Sequence, residues 1–181
     1  MDLKIGSINV RGLGDQVKRR EIFNWLRAKK YSVYFIQEMH CTEDNKNDWL
    51  AEWGYQALFS CCSSKKAGVA ILFNNNFTFQ ISKTYSDPEG RFIICDLTVN
   101  GKQLTLTNIY APNNDDSNFF TSVFSHLADF KCEFVIIGRG CLVLLTCVGG
   151  CCVLKLCKGY VPLVLNFLVL IRHPCVLIVS E

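Results

Sequence analysis

The sequence predicts an α+β fold, with helices and strands mixed around one sheet, and three observations carry that expectation. The chain opens on a strand, a helix and a second strand; an Asn-Gly pair separates two strand-like runs; and an amphipathic stretch leads into another short apolar run. A length of 181 residues with 50% apolar and 19% charged side chains is enough for one domain with a sizeable core.

Leu3 to Val10 collects apolar and β-branched residues and is bounded by Gly12 and Gly14, as a strand ending in a turn would be. Asp15 can cap the helix that follows, in which Ile22 and Leu26 share a face while Lys18, Arg19, Arg20, Arg27, Lys29 and Lys30 stay in water. Val33 to Gln37 is a continuous apolar run short enough to be a strand buried on both faces. Strand, helix, strand implies a parallel pair joined by a crossover. Thr42 is the expected cap of a short helix carrying Trp49, Leu50 and Trp53. Ala67 to Phe73 and Phe77 to Tyr85 flank Asn74-Asn75-Asn76 and read as a hairpin. Arg91 to Val99 and Lys102 to Tyr110 flank Asn100-Gly101, both of which tolerate the positive φ of a type I′ turn, so their register is nearly dictated. A last helix places Phe120, Val123, Phe124 and Leu127 on one stripe, and Phe134 to Ile137 make a buried strand ending at Gly138.

After Gly138 the composition changes abruptly. Residues 1–138 hold 15 of the 19 Lys and Arg and 15 of the 16 Asp and Glu, so the net charge of +3 belongs to residues 139–181. That tail has Glu181 as its one acid, holds 6 of the 11 cysteines and is rich in Leu and Val. The chain therefore divides into 1–138, a balanced globular part, and 139–181, a Cys/Leu/Val-rich tail. The tail's uncharged stretches, Gly140 to Leu154 and Gly159 to Ile171, fall short of the roughly 20 residues of a spanning helix, so a membrane anchor is not expected. The opening residues contain no apolar run long enough for a secretory signal, which predicts a cytoplasmic or nuclear protein with free thiols. Cys147, Cys151, Cys152 and Cys157 read as buried thiols in preference to a zinc site.

Polar groups stand where buried strands give way to loops: Asn9 in SINVRGL, Glu38 in IQEMH, and Tyr110 with Asn113 in NIYAPN. Strand ends are where α/β architectures collect their sites. A carboxylate directly after five residues that favour burial is paired, protonated or coordinating a cation, unless it simply emerges into solvent. His40 and His126 read as a loop residue and a helix surface residue. Lys18, Arg19, Arg20 and Arg27 are candidates for phosphate contact, although a solvated helix face is the simpler reading because residues 1–138 carry no net positive charge.

Taken in order, Asn9 in SINVRGL, Glu38 in IQEMH, the NIYAPN segment and FVIIG resemble the endonuclease/exonuclease/phosphatase superfamily, in particular the endonuclease domain of non-LTR, long-interspersed-element-type retrotransposons. The resemblance covers residues 3–138. It implies a four-layer α/β/β/α sandwich, here truncated, with the first sheet and its helices largely present and the second half incomplete. It also implies phosphodiester hydrolysis with DNA as partner and Mg²⁺ as cofactor. Glu38 is then the main metal ligand and Asn9 its neighbour at the metal. Tyr110 and Asn113 are the expected catalytic residues, with the Tyr110 hydroxyl on the scissile phosphate.

The pattern then fails. The family continues FVIIG into a Gly-Asp-Phe-Asn segment, whereas this chain reads Gly138-Arg139-Gly140-Cys141, and neither Arg nor Cys serves as a carboxylate base. The family's later Ser-Asp-His segment has no counterpart in a tail without Asp, whose His173 precedes Pro174. The expectation is a truncated, catalytically dead endonuclease with a weak or vestigial Mg²⁺ site; the alternative is a non-catalytic remnant or nucleic-acid-binding fragment. A shifted reading frame or misplaced splice in a decayed retrotransposon copy would account for the tail. A missing second sheet would remove on the order of 600 Å² of burial, about 15 kcal/mol at about 25 cal/mol per Å², leaving a marginal product unless tail strands replace it.

Overall fold

The computed structural model describes residues 3–112, 116–130, 134–139, 143–148, 151–156 and 167–171, and in it two sheets pack face to face between helices. The first sheet contains β1 (Ile5–Asn9), β2 (Val33–Gln37), β3 (Ala57–Ser60) and β4 (Val69–Phe73) in the order β1-β2-β4-β3. As the strand-helix-strand pattern predicts, β1 and β2 are parallel, with Ile5 opposite Val33 and Asn9 opposite Gln37. The helix α1 (Gln16–Lys29) connects them, and the Asp15 carboxylate accepts the Lys18 N–H at 2.7 Å as its N-cap. Phe23 and Leu26 of α1 and Trp49 and Trp53 of α2 (Lys46–Trp53) cover the outer face of this sheet.

Two local expectations are corrected here. Thr42 does not cap α2; Asn45 occupies the cap position, and its Oδ1 accepts the Thr42 N–H at 3.0 Å. Arg19 does not stay in water either. Its guanidinium grips the Glu52 carboxylate with two nitrogens, donates to the Leu13 carbonyl at 2.9 Å and lies 4.8 Å from the Trp49 ring centroid. A planar fork can be buried when every face of it meets a partner, and Glu52 on α2 supplies what a scan of α1 alone cannot show.

The second sheet contains β5 (Gln80–Ser86), β6 (Phe92–Val99), β7 (Lys102–Ile109) and β8 (Phe134–Arg139). β6 and β7 form the Asn-Gly hairpin, with Val99 opposite Lys102 and positive φ at Asn100 (49°) and Gly101 (77°). The expected hairpin across Asn74-Asn75-Asn76 does not form. β4 is already paired on both edges, with β2 and β3, so the chain leaves the first sheet and β5 pairs with β6 in the second. The turn is tied to the end of α1: the Asn74 N–H donates to the Ser32 carbonyl at 3.0 Å and Asn76 Nδ2 to the Lys30 carbonyl at 2.8 Å.

The helix α3 (Ser117–Ala128) links β7 to β8, which are parallel, and covers the outer face of the second sheet. Its buried stripe is Phe119, Val123 and Leu127; of the expected stripe, Phe120 is half-buried and Phe124 is exposed. β9 (Val143–Val148) and β10 (Cys151–Leu156) form an antiparallel pair of their own, and β11 (Phe167–Ile171) pairs antiparallel with β8, from Phe167 opposite Gly138 to Ile171 opposite Phe134.

The inner face of the first sheet is therefore not open. Val33, Phe35, Val69, Ile71 and Phe73 meet Ile93, Cys95, Leu97, Leu104 and Leu106 of the second sheet, all contributed by residues before 139. At Gly138 the sheets touch so closely that a Cβ would lie 1.8 Å from the Phe35 ring, a space that only glycine leaves. Among the described residues no helix is long and apolar enough to cross a membrane.

Candidate active site

Asn9 closes β1, Glu38 follows β2 and Tyr110 follows β7, and the sandwich brings these three strand ends to one side. The join between the sheets is Asn108, which is fully buried: its Nδ2 donates to the carbonyls of Ile36 on β2 at 2.9 Å and Ala70 on β4 at 2.8 Å, and its Oδ1 accepts from Gln37 Nε2 at 2.7 Å. Gln37 Nε2 also donates to Ser7 Oγ of β1 at 3.1 Å. Polar side chains thus tie β1, β2, β4 and β7 together one or two residues before the candidate site.

Asn9 and Glu38 are in direct contact, the Asn9 amide donating to Glu38 Oε1 at 2.8 Å. Their parallel register makes this inevitable in outline, since Asn9 stands opposite Gln37 and Glu38 is the next residue. Glu38 has φ of 55°, a left-handed conformation uncommon for a residue with a side chain, and its loop is fastened on both flanks. On one flank Gly12 N–H donates to the Glu38 carbonyl at 2.6 Å and Leu13 N–H to that of Met39 at 2.9 Å; on the other, the Met39 and His40 N–H groups donate to Gly68 and Ala67. Lys18 Nζ gathers the preceding loop by donating to the carbonyls of Val10 and Gly12, each at 2.8 Å. Asn9 Oδ1 accepts the Arg11 N–H at 3.1 Å, so the amide is oriented from both ends.

Tyr110 is half-buried at the rim of the inter-sheet core, its N–H donating to the Arg91 carbonyl at 2.7 Å. Asn113 lies outside the described residues. Arg139, standing where a carboxylate was expected, is opposite Ile109 in the β7–β8 register, beside Tyr110. His40 is half-buried under Gly12, and His126 stacks on Tyr85 with ring centroids 3.9 Å apart.

The basic residues of α1 have partners within the protein. Lys18 holds backbone carbonyls, Arg19 and Arg20 both face Glu52, and Arg27 donates to the carbonyls of Glu52 and Trp53 at 3.0 and 2.7 Å. These partners give them structural work. Free thiols are also corrected at one pair: Cys41, in the loop after Glu38, is bonded to Cys61 at the end of β3, and 20 residues of separation hide the proximity that the β2-β4-β3 order creates. Neither Cys62 nor Cys95 is in a disulfide, while the side chains of Cys147, Cys151, Cys152 and Cys157, the zinc quartet considered above, lie outside the described residues.

With this geometry in place, comparison with known proteins is informative. The model of the endonuclease/exonuclease/phosphatase family matches residues 6–138, from β1 through the close approach at Gly138. The chain belongs to this family. Within the described residues its members' fold appears here as two sheets between helices. Over 141 residues the chain is 28% identical to a transposon TX1 uncharacterized 149 kDa protein of Xenopus laevis, covering 76% of this chain and 11% of that protein. Among solved structures it is similar to an AP endonuclease from Archaeoglobus fulgidus, with a TM-score of 0.56, 20% identity and coverage of 76% of this chain and 56% of the other. It is also similar to the endonuclease domain of TRAS1, a telomere-specific non-LTR retrotransposon, with a TM-score of 0.53, 10% identity and coverage of 77% and 60%. The chain thus spans a small part of the transposon protein and a little over half of these solved structures.

The donor chemistry at the paired ends of β1 and β2 suits a hard cation. Glu38 offers a carboxylate and Asn9 a carboxamide oxygen, the two side chains touching through the Asn9 amide nitrogen, and among the described residues Asn9 is the one side-chain partner of the Glu38 carboxylate. No group of three or more His, Cys, Asp or Glu forms a ready-made cage among the described residues. A single carboxylate beside a carboxamide fits Mg²⁺, which keeps several waters and is commonly held by one or two carboxylates together with substrate phosphate.

What sequence reasoning missed is Asn108, although a signal was present: an amide inside the apolar strand LTLTNIY has to find buried partners.

Proposed function

We propose that residues 1–138 are the amino-terminal part of a Mg²⁺-dependent DNA endonuclease of the non-LTR retrotransposon kind, and that this chain retains the metal and phosphate side of the site without its capacity to cleave. The observation that carries the reading is the Asn9–Glu38 contact at the paired ends of β1 and β2. Glu38 would hold the ion through its carboxylate, and Asn9 would fix the orientation of that carboxylate. The bound ion supplies neutralisation of charge on the phosphoryl oxygens and leaving group. Tyr110 would direct its hydroxyl to the scissile phosphate from the facing sheet, with Asn113 supporting the same phosphate.

Loss of turnover follows from residue 139. Water must give up a proton as it attacks phosphorus, and a guanidinium, protonated throughout the physiological range, cannot accept it. The tail from Arg139 would then derive from a shifted frame or misplaced splice, which the transcript across the codons for Gly138 to Cys141 would display.

The test combines calorimetric titration with Mg²⁺ and nicking of supercoiled plasmid, using this chain and Glu38→Ala. The expected result is Mg²⁺ binding that Glu38→Ala abolishes, with no nicking by either. Nicking by this chain that disappears in Glu38→Ala would overturn the loss of turnover and leave the endonuclease reading standing. Equal Mg²⁺ binding by both chains would overturn the metal assignment.

A further inference from the structure

The candidate site is assembled from two sheets, so something must set the distance between its halves. Glu38 belongs to the first sheet and Tyr110 to the second, and hydrophobic packing between sheets is non-directional. Apolar side chains hold the faces together without fixing how far one strand slides along the other. Hydrogen bonds do fix it, because donor and acceptor must meet within a few tenths of an ångström.

We infer that Asn108 is a positioning residue that registers the Tyr110 end of β7 against the Glu38 end of β2, with Gln37 as its partner; the inference rests on the reading of the site as one for metal and phosphate. Asn108 belongs to the second sheet, yet its three side-chain hydrogen bonds cross to the first: to the Ile36 carbonyl, to the Ala70 carbonyl and to Gln37. Gln37 immediately precedes Glu38, and Asn108 lies two residues before Tyr110. Both are completely buried.

Gln37 also reaches Ser7 on β1, which extends the tie to the strand that ends at Asn9. Stability alone does not account for such an arrangement. Gln37 Oε1 is buried within it without a hydrogen-bond partner among the described residues, and an apolar pair of similar shape would avoid that cost. What the polar pair provides over an apolar one is direction.

The consequence is a coupling between ligands. If metal at Glu38 and a phosphate at Tyr110 share one geometry, Mg²⁺ tightens DNA binding by a factor that depends on the spacing of the sheets. Asn108→Leu removes the lock at similar volume. Gln37→Met removes only the side-chain bond, leaves the two carbonyl contacts in place and serves if Asn108→Leu fails to fold. Affinity for a short duplex oligonucleotide is measured by fluorescence anisotropy with and without Mg²⁺, Mg²⁺ affinity alone by calorimetry, and folding by circular dichroism.

The expected result is that the folded variants bind Mg²⁺ alone, and DNA alone, within about twofold of the parent, while the tightening of DNA binding by Mg²⁺ falls about tenfold. A purely structural role would weaken all three affinities together through the folded fraction and would overturn the inference. Full tightening in a folded variant would overturn it as well while leaving the proposed function intact. Absence of tightening in the parent chain would overturn both.

Discussion

Glu52 shows how one residue can organise its surroundings. It receives Arg19 and Arg20 from α1, and the hydrogen bonds from Arg19 hold its carboxyl below the usual range against an opposing desolvation. A carboxyl depressed in the folded state contributes stability above its unfolded value, and that contribution disappears as pH falls through the folded value. Glu52→Gln should therefore lower the unfolding free energy by about 2 kcal/mol at neutral pH, with the difference from the parent shrinking below about pH 4. Thermal melts of both chains across pH 3 to 7 would check this; a constant difference over that range would contradict it. The placement of Asn9 and Glu38 at strand ends was legible in the sequence because β1 and β2 identify themselves by composition. Arg19 was not, because its ion-pair partner is 33 residues away and on another helix.

At the scale of elements, local signals fixed what local physics decides. Asp15 was readable as a cap because capping involves the next three residues, and Asp15→Ala should cost about 1 kcal/mol by denaturant unfolding, with no change in the slope against denaturant. The β6–β7 hairpin was readable because Asn100-Gly101 determines its own conformation. The turn at Asn74 to Asn76 misled for a complementary reason. Its residues suit a reversal of the chain, but whether β5 pairs with β4 depends on competition from β2 and β3, whose sequences lie elsewhere. β3 itself carries no local mark, being four residues of mixed polarity that become a strand by pairing with β4.

For the molecule as a whole, the four-layer arrangement was legible through family resemblance, while its closure was not. Ending the recognisable pattern at Gly138 suggested an uncovered first sheet, yet β5 to β8 had already covered it. Long-range covalent closure was hidden in the same way. The Cys41–Cys61 bond closes a loop of 20 residues around β3 and the approach to Glu38, and in the chain-entropy picture such a loop is worth about 3 kcal/mol. The double substitution Cys41→Ser with Cys61→Ser should lower the denaturant midpoint accordingly, and adding a thiol reductant should lower the parent to a comparable midpoint while leaving the double variant unchanged. A parent insensitive to reductant would sink that expectation.

The contact of Gly138 with Phe35 says something about where this polypeptide tolerates novelty. A foreign codon in place of that glycine would drive a side chain into an aromatic ring and wedge the two halves apart. At that one position the backbone of one sheet and a ring of the other leave no room for a side chain.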